Sequence, residues 1–287
     1  MATPATLETT PGAIAMNLML ERYDDMAHAA AAEVMAQYST SFSAATKLLA
    51  PRVRCDIRNL YAMVRIADEI VDGAAESGQR EALDAYEQQI LSAPKRRFHT
   101  DPVVHAYAIS ARRCDFADEH VRAFFASMRS DLECKEFSDE QRARYIYGSA
   151  EVIGLMCLDA FLLEHDVDRT QLDPGAQALG RAFQNINFLR DLHEDNQALD
   201  RRYYPGLDEA KKQQIIQGVR GDLALAKESM QRLPRGARMG VAAALRLYEE
   251  LTDRLEAASL EDIRAHRVRV PNWRKLMLAA SAAVGKV

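Results

Sequence analysis

Two pairs of aspartates in the sequence have the same spacing and the same kind of neighbouring sequence. Asp68 and Asp72 lie four residues apart, as do Asp191 and Asp195, and each pair closes a stretch typical of a helix. Residues four apart share one helix face, where like charges repel by about 0.2–0.5 kcal/mol. Such pairs indicate an external cation. Mg²⁺, or Mn²⁺ as the alternative, would bridge these carboxylates to substrate phosphates.

Each pair belongs to a longer polar stripe. The first stripe consists of Tyr61, Arg65, Asp68 and Asp72, and Arg58 can join it. The second stripe consists of Gln184, Asn187, Asp191 and Asp195, and Arg190 borders it. The neighbours of the second stripe are apolar, so each helix is expected to pack on one side and to line a polar cavity on the other. If the two helices face each other, four aspartates would hold more than one divalent ion and a diphosphate.

Other uses of these residues are less well supported by the sequence. A single pair of this spacing is common on solvated helix faces, and Glu249 with Asp253 is interpreted as such a surface pair. A di-iron carboxylate bundle would need Glu-x-x-His motifs, which are missing. His193 is interpreted as a filler or supporting residue. The sequence has no P-loop, no G-x-G-x-x-G and no G-x-S-x-G, so nucleotide binding and hydrolase chemistry by those routes are unsupported.

Composition narrows the class of protein. The 287 residues are 48% hydrophobic and carry a net charge of −5, which argues against a general nucleic-acid binder. The four cysteines lack metal-ligand spacing and are expected to be reduced intracellular thiols. No signal peptide and no transmembrane helix are predicted. We expect a disordered tail over residues 1–20 and one all-α domain of long helices around a central cavity over 21–287.

Helical periodicity dominates, and alternating strand-like runs are missing. Pro51, Pro174 and Pro271 stand where the first residue of a helix accepts proline. The predicted helices are 26–37, 51–72, 78–93, 101–112, 118–130, 138–164, 174–197, 207–232, 236–264 and 271–283.

The motifs resemble the squalene/phytoene synthase family of head-to-head prenyltransferases, and within it the bacterial phytoene synthases. Residues 60–73 (LYAMVRIADEIVDG) and 184–195 (QNINFLRDLHED) resemble the two aspartate motifs of that family. Three further segments resemble other motifs of the family. Residues 38–43 (YSTSFS) resemble its S-x-S-F opening, and residues 145–154 (YIYGSAEVIG) resemble its Y-x-Y-x-x-A-x-x-x-G helix. Residues 201–205 (RRYYP) resemble its R-x-Y-x-P element. The resemblance implies an isoprenoid-synthase fold and condensation of two allylic diphosphates through a cyclopropyl intermediate.

The resemblance also implies roles for single residues. The four aspartates would hold Mg²⁺, and Arg65 and Arg190 would stabilise the departing diphosphate. Ser39, Ser41, Arg201 and Tyr203 would contact substrate, although the serines could instead cap a helix and Arg201 could pair with Asp200 or Asp208. Phe42, Tyr61 and Tyr145 would line the cavity, with Tyr248 nearby, and ring faces stabilise cations. The role of Glu151, where relatives have a small residue, stays open.

Three functions are consistent with the sequence. The first is phytoene synthase, acting on two geranylgeranyl diphosphates without NADPH. The second is squalene or dehydrosqualene synthase, acting on farnesyl diphosphate. The third is a non-catalytic assembly factor, which would be expected to lose aspartates that this chain keeps. The expected location is the cytoplasm, with peripheral contact to the inner membrane face because the product is very hydrophobic. The sequence leaves the oligomeric state open.

Overall fold

The structure is a computed structural model that describes residues 11–73, 75, 77–193 and 201–283. The described residues contain helices and no strands, which confirms the all-α prediction. The helices, numbered here in chain order, are α1 Pro11–Tyr38, α2 Thr40–Thr46, α3 Pro51–Asp72, α4 Gln79–Ser92, α5 Pro102–Cys114, α6 Asp118–Glu133, α7 Asp139–Ile146, α8 Val152–Leu162, α9 Asp173–Arg190, α10 Glu209–Met230, α11 Arg235–Ala257, α12 Leu260–Ala265 and α13 Asn272–Ala283.

Local sequence signals explain where several helices begin. Pro51 and Pro102 occupy the first turns of α3 and α5, where the missing proline N–H costs nothing. Ser138 starts α7 with a capping box, in which its side chain accepts from the Gln141 backbone and Gln141 reaches back. Ser39 caps α2 by accepting a hydrogen bond from the Phe42 backbone N–H at 3.1 Å. Side-chain caps therefore fix the starts of α2 and α7, and proline marks the starts of α3 and α5.

The helix α8 lies at the centre of the bundle, against α3, α5, α6 and α9. A π-helical turn, Tyr147–Glu151, joins it to α7, so residues 139–162 form one helical stretch. Among the described residues this stretch alone is long and apolar enough to cross a bilayer, and 56% of its apolar window is buried. Its central position accounts for its apolar composition, as for the core helix of a bundle.

Four boundaries differ from the sequence predictions. The helix α1 begins at Pro11, so residues 11–20 are helical where a tail was expected, while residues 1–10 lie outside the described residues. The short helix α2 was not predicted. The predicted helix 236–264 is broken between α11 and α12, where Ser259 caps a new helix. The predicted helix 174–197 is interrupted by a bend at Asp191, which is the C-cap of α9.

Candidate active site

The helix α3 presents the first polar stripe as one face. Its opposite side, which includes Leu60, Met63 and Ala67, is buried in the main core. On the polar face the side chains of Asp68 and Asp72 keep 35% and 34% of their area exposed. The helix α3 therefore anchors one side in the core, while its last turns hold two partly exposed carboxylates on the other side.

Asp68 is surrounded by like charge. Burial within the protein raises the pKa of Asp68 from 3.8 to about 7. The positive charge of Arg65 lowers this pKa, and the nearby carboxylates of Asp72 and Asp131 raise it further. Arg65 lies 3.7 Å from the Asp68 carboxylate and also pairs with Glu69. Burial chiefly, and repulsion in addition, make ionisation of Asp68 unfavourable, and a cation placed between these carboxylates would offset both effects.

Asp131 on α6 is a site residue that the sequence analysis missed. Its carboxylate accepts hydrogen bonds from the Tyr145 hydroxyl at 2.7 Å and the Tyr203 hydroxyl at 2.8 Å. Arg201 reaches it at 3.8 Å while pairing with Asp72 at 2.5 Å. Burial raises the pKa of Asp131 to about 7, against the opposing effect of Arg201 and the tyrosine hydroxyls. The signal was available, since Phe124, Met128 and Asp131 share one apolar helix face, and a buried acid in such a stripe is informative.

Arg201 therefore ties the first aspartate motif to the Asp131 cluster, rather than pairing with Asp208, which caps α10. Asp200, the other partner considered, lies outside the described residues. Arg201 is 6% exposed, and its Nη1 atom has no hydrogen-bond partner within the described structure. The Nε atom of Arg65 is also buried without such a partner. Two guanidinium groups beside the aspartates thus retain donors that an anionic ligand could accept from.

The second motif adopts a different arrangement from the one predicted. The Asp191 carboxylate pairs with two arginines. Its Oδ1 atom lies 2.8 Å from the Nε atom of Arg190 and 2.9 Å from the Nε atom of Arg267. Asn187 accepts a hydrogen bond from the Tyr248 hydroxyl at 3.1 Å. Asp195 lies outside the described residues, so its position relative to the other aspartates stays a prediction.

Basic side chains gather around Asp191. Burial lowers the pKa of Lys275 on α13, and the charges of Arg190, Arg269 and Arg267 lower it further. The Lys275 ammonium donates to the Thr40 hydroxyl at 3.1 Å, beside the start of α2. The sequence analysis named only Arg190 of this group. The others lie in residues 263–283, which contain five Lys or Arg and no Asp or Glu, and that bias was the available signal.

Aromatic rings lie beside both the acidic and the basic side chains, because the charge of Asp68 acts on Tyr61 and that of Arg190 acts on Tyr248. Phe42 of α2 lies 6.2 Å from Tyr61, 6.1 Å from Phe183 and 6.3 Å from Tyr248 between ring centroids. Phe183 stacks on Tyr248 at 3.7 Å. The structure therefore brings together Phe42, Tyr61 and Tyr248, which were predicted, with Phe183, which was not. Their helices are α2, α3, α9 and α11, so the cluster joins an N-terminal helix pair to two helices from the second half of the chain.

The remaining predicted residues occupy less direct positions. Tyr145 and Tyr203 are buried with their hydroxyls on Asp131. Ser41 and Gln184 are half-buried on α2 and α9. His193 is bonded through Nδ1 to the Arg264 carbonyl at 2.7 Å, in keeping with a supporting role.

Two acidic positions lie away from the stripes. Glu151 is buried in the π-helical turn and pairs with Arg181 at 3.0 Å, which also holds Asp222 of α10. Glu249 pairs with Lys227 and Asp253 with Arg220 at the exposed side of α11, as expected for a surface pair. Neither group joins the candidate site.

The carboxylates were tested for their fit to a divalent cation. Among the described residues no group of three or more His, Cys, Asp and Glu side chains is arranged to hold a metal ion by itself. Mg²⁺, however, is usually held by one or two carboxylates and completed by water and substrate phosphates. Asp68 and Asp72 meet that smaller requirement, and the like-charge crowding on Asp68 fits a cation there.

Comparisons with known proteins define the class. A sequence model of the squalene/phytoene synthase family matches residues 35–215. The chain is 28% identical over 265 residues to a 15-cis-phytoene synthase from Paracoccus, covering 83% of this chain and 84% of that protein. It is 30% identical over 277 residues to a 15-cis-phytoene synthase from Synechococcus elongatus, covering 85% and 88%. The chain therefore belongs to the squalene/phytoene synthase family of head-to-head prenyltransferases, as its motifs predicted.

Solved structures agree on the fold. A dehydrosqualene synthase superposes with a TM-score of 0.79 at 21% identity, covering 92% of this chain and 98% of the other. The squalene synthase HpnC from Alicyclobacillus acidocaldarius superposes with a TM-score of 0.71 at 18% identity, covering 82% and 94%. These similarities confirm the isoprenoid-synthase type of fold.

Proposed function

We propose that this protein is a phytoene synthase that joins two molecules of geranylgeranyl diphosphate head to head. The observation that carries the proposal is an aromatic cluster that lies beside both the carboxylates of α3 and a group of basic side chains. That combination suits a substrate with an anionic diphosphate head and a hydrocarbon body. The phytoene synthases of Paracoccus and Synechococcus elongatus support the choice of product.

Asp68 and Asp72 would hold Mg²⁺, with Mn²⁺ as a substitute, and Asp191 and Asp195 would complete the metal site with substrate oxygens. When bound, the metal would withdraw charge from the departing diphosphate. The basic side chains would stabilise the same negative charge, and guanidinium groups are suited to bidentate contacts with phosphate. The candidates for this role are Arg65, Arg190, Arg201, Arg267 and Lys275.

The aromatic cluster would serve the carbon chemistry. Loss of diphosphate leaves an allyl cation, which the double bond of the second substrate attacks, and loss of a proton closes the cyclopropane of prephytoene diphosphate. Loss of the second diphosphate, rearrangement and loss of a second proton give phytoene, so no reductant is consumed. The rings of Phe42, Tyr61, Phe183 and Tyr248 would face the cationic carbon skeleton and exclude water.

A second function is favoured by one observation. Solved structures with the same fold include a dehydrosqualene synthase and a squalene synthase. Both products would arise from farnesyl diphosphate, and squalene formation would consume hydride from NADPH. A non-catalytic assembly factor is less well supported, because the chain keeps all four motif aspartates.

The test is a product assay on the purified protein with Mg²⁺. Farnesyl and geranylgeranyl diphosphate are supplied separately, with and without NADPH, and the hydrocarbon is identified by mass. Phytoene from the longer substrate without NADPH is the expected result. Squalene or dehydrosqualene from the shorter substrate would replace the proposed product while keeping the site. No hydrocarbon from either substrate would turn attention to the non-catalytic alternative.

We further propose a cytoplasmic protein in peripheral contact with the inner membrane face. The substrates and the product are long hydrocarbons whose transfer through water is unfavourable. Direct transfer between the site and a bilayer would avoid that step.

A further inference from the structure

The outward face of α13 is apolar, which is the reverse of an ordinary surface helix. Trp273, Leu276 and Met277 are 61%, 67% and 54% exposed. With Ala280, which is also exposed, they stand at positions i, i+3, i+4 and i+7, and so share one face. The other side of α13, with Arg274, Leu278 and Ala282, is half-buried or buried and packs on α11.

The surroundings of this face are basic. Residues 263–283 carry five Lys or Arg and no Asp or Glu, although the whole chain has a net charge of −5. Arg269 is exposed beside the start of α13, and Arg274 and Lys275 flank the apolar face while contacting Glu250 and Thr40. An apolar helix face with a tryptophan and a cationic border is the pattern of helices that lie in the surface of an anionic bilayer.

The position of α13 connects this face to the candidate site. The helix packs on α2 and α11, which carry Phe42 and Tyr248 of the aromatic cluster. Lys275, on the same helix, lies in the basic group around Asp191. A bilayer seated on α13 would therefore lie next to the helices that enclose the hydrocarbon-binding part of the site.

We propose that the α13 face, defined by Trp273, Leu276, Met277 and Ala280, docks this protein on a membrane containing anionic lipid. The proposal rests on the proposed function for its purpose, which is the transfer of hydrophobic substrate and product. Its structural basis, the exposed apolar face with a basic border, does not depend on which hydrocarbon is made.

Trp273 makes the proposal directly measurable, because it is the single tryptophan of the chain. The full-length protein is titrated, without substrate, with phosphatidylglycerol/phosphatidylcholine vesicles and with phosphatidylcholine vesicles. With the anionic vesicles, Trp273 emission is expected to shift to shorter wavelength and to be quenched by brominated lipid. The shift should weaken as salt is raised.

The variant Leu276→Glu/Met277→Glu keeps the tryptophan and removes the apolar face. It should bind anionic vesicles at least about tenfold more weakly, because two apolar side chains no longer leave water. The matched control is Leu225→Glu/Met239→Glu, at two exposed positions on α10 and α11 that are 42% and 41% exposed, and it should bind like the unmodified protein. Turnover of detergent-dispersed substrate should be unchanged in both variants.

Several results would overturn the proposal. They are the absence of any vesicle-dependent shift, equal loss of binding in both variants, and equal binding to vesicles without anionic lipid. A shifted emission in protein alone, coupled to a dimer that Leu276→Glu/Met277→Glu dissociates in sedimentation, would assign the face to a second copy instead. The vesicle assay contains no substrate, so its failure is distinguishable from failure of the product assay.

Discussion

Three carboxylates, those of Asp68, Asp72 and Asp131, share the charge of Arg65 and Arg201 at the acidic end of the site. The repulsion among them is the feature that a bound cation would relieve. A structural role alone would not require Asp68 and Asp72 to remain crowded with about a third of each side chain exposed. The acidic end is therefore best tested by linking protonation and metal binding to stability.

The first prediction concerns Asp68. Its pKa is raised in the folded protein from 3.8 to about 7, so its contribution to stability is fully present below about pH 4 and is lost as the pH rises through about 7. In EDTA, the free energy of unfolding of Asp68→Asn relative to wild type should increase from pH 5 to pH 8. Urea unfolding measures this difference. At pH 8, Mg²⁺ should stabilise the wild type more than the variant.

A difference between Asp68→Asn and wild type that is the same at pH 5 and pH 8 would contradict the prediction. Glu249→Gln provides the control, because that residue has the same carboxylate chemistry in the surface pair on α11. The change in the Asp68→Asn difference between pH 5 and pH 8 is compared with the change for this variant and should exceed it.

The second prediction concerns Asp131. Asp131→Asn removes the charge opposite Arg201 and disturbs two tyrosine hydrogen bonds, which should cost roughly 1–3 kcal/mol of stability. Arg201 would then be paired with Asp72 alone, so turnover should require a higher Mg²⁺ concentration. Tyr203→Phe is the matched variant, since it removes one donor and leaves the charge. Identical Mg²⁺ dependence of the two variants would exclude a role for Asp131 in positioning Arg201.

At the scale of residues, sequence patterns predicted site residues that share one helix better than contacts between residues on different helices. The α3 stripe, Phe42 and Tyr61 were found because their motifs are local and specific, whereas Tyr248 was named from the family resemblance of its late helix alone. Asp131, Phe183 and Lys275 were missed because each enters the site from an element whose position depends on tertiary packing. A buried acid on an apolar face was the one local sign of Asp131.

At the scale of elements, the π-helical turn Tyr147–Glu151 controls how the central helix fits between its neighbours. A Cβ atom added at Gly148 would collide with the Ala123 carbonyl of α6, and one added at Gly180 of α9 would collide with the Ala150 carbonyl of the turn. The backbones of α6, the turn and α9 therefore approach closely. That approach fixes the position of α9 and, through it, of Asn187, Arg190 and Asp191.

The third prediction follows from this approach. Gly180→Ala should destabilise the protein by about 1–3 kcal/mol, because α9 must move away from the turn to admit the methyl group. Gly218→Ala on α10 is the matched control, since nothing lies within 4 Å of its added Cβ. It should be neutral or stabilising by up to about 1 kcal/mol. The stability of the two variants is compared by thermal and urea unfolding. Equal stability would contradict the close approach of the backbones.

The sequence predicted α3 and α5 closely because each combines an amphipathic pattern with a proline in its first turn. It missed α2, whose seven residues are too few to show a period. It joined α11 to α12 across Ser259, because a capping serine within a polar stretch looks like helix interior. It also continued α9 through Asp191, where the side chain is instead paired with Arg190 and Arg267.

At the scale of the whole molecule, the site depends on the complete fold. The aromatic cluster draws on α2, α3, α9 and α11, and the basic group adds α13. The chain has a net charge of −5, so attraction of an anionic substrate must come from this local group and from metal, rather than from overall charge. Ligand binding should therefore stabilise the entire fold rather than one segment.

The last prediction is a cooperative stabilisation by metal and diphosphate. Mg²⁺ held by only one or two carboxylates binds weakly until phosphate oxygens complete its coordination. Mg²⁺ together with a non-ionisable thiolodiphosphate analogue of the substrate should raise the melting temperature by about 5 °C at a hundred times the dissociation constant. Each ligand alone should raise it less than half as much. Asp72→Asn should abolish the cooperative part and Arg267→Ala should reduce it, since the two residues lie at the acidic and basic ends. A full shift with the analogue and EDTA would show that the diphosphate is bound by basic side chains alone, and that the aspartates serve another purpose.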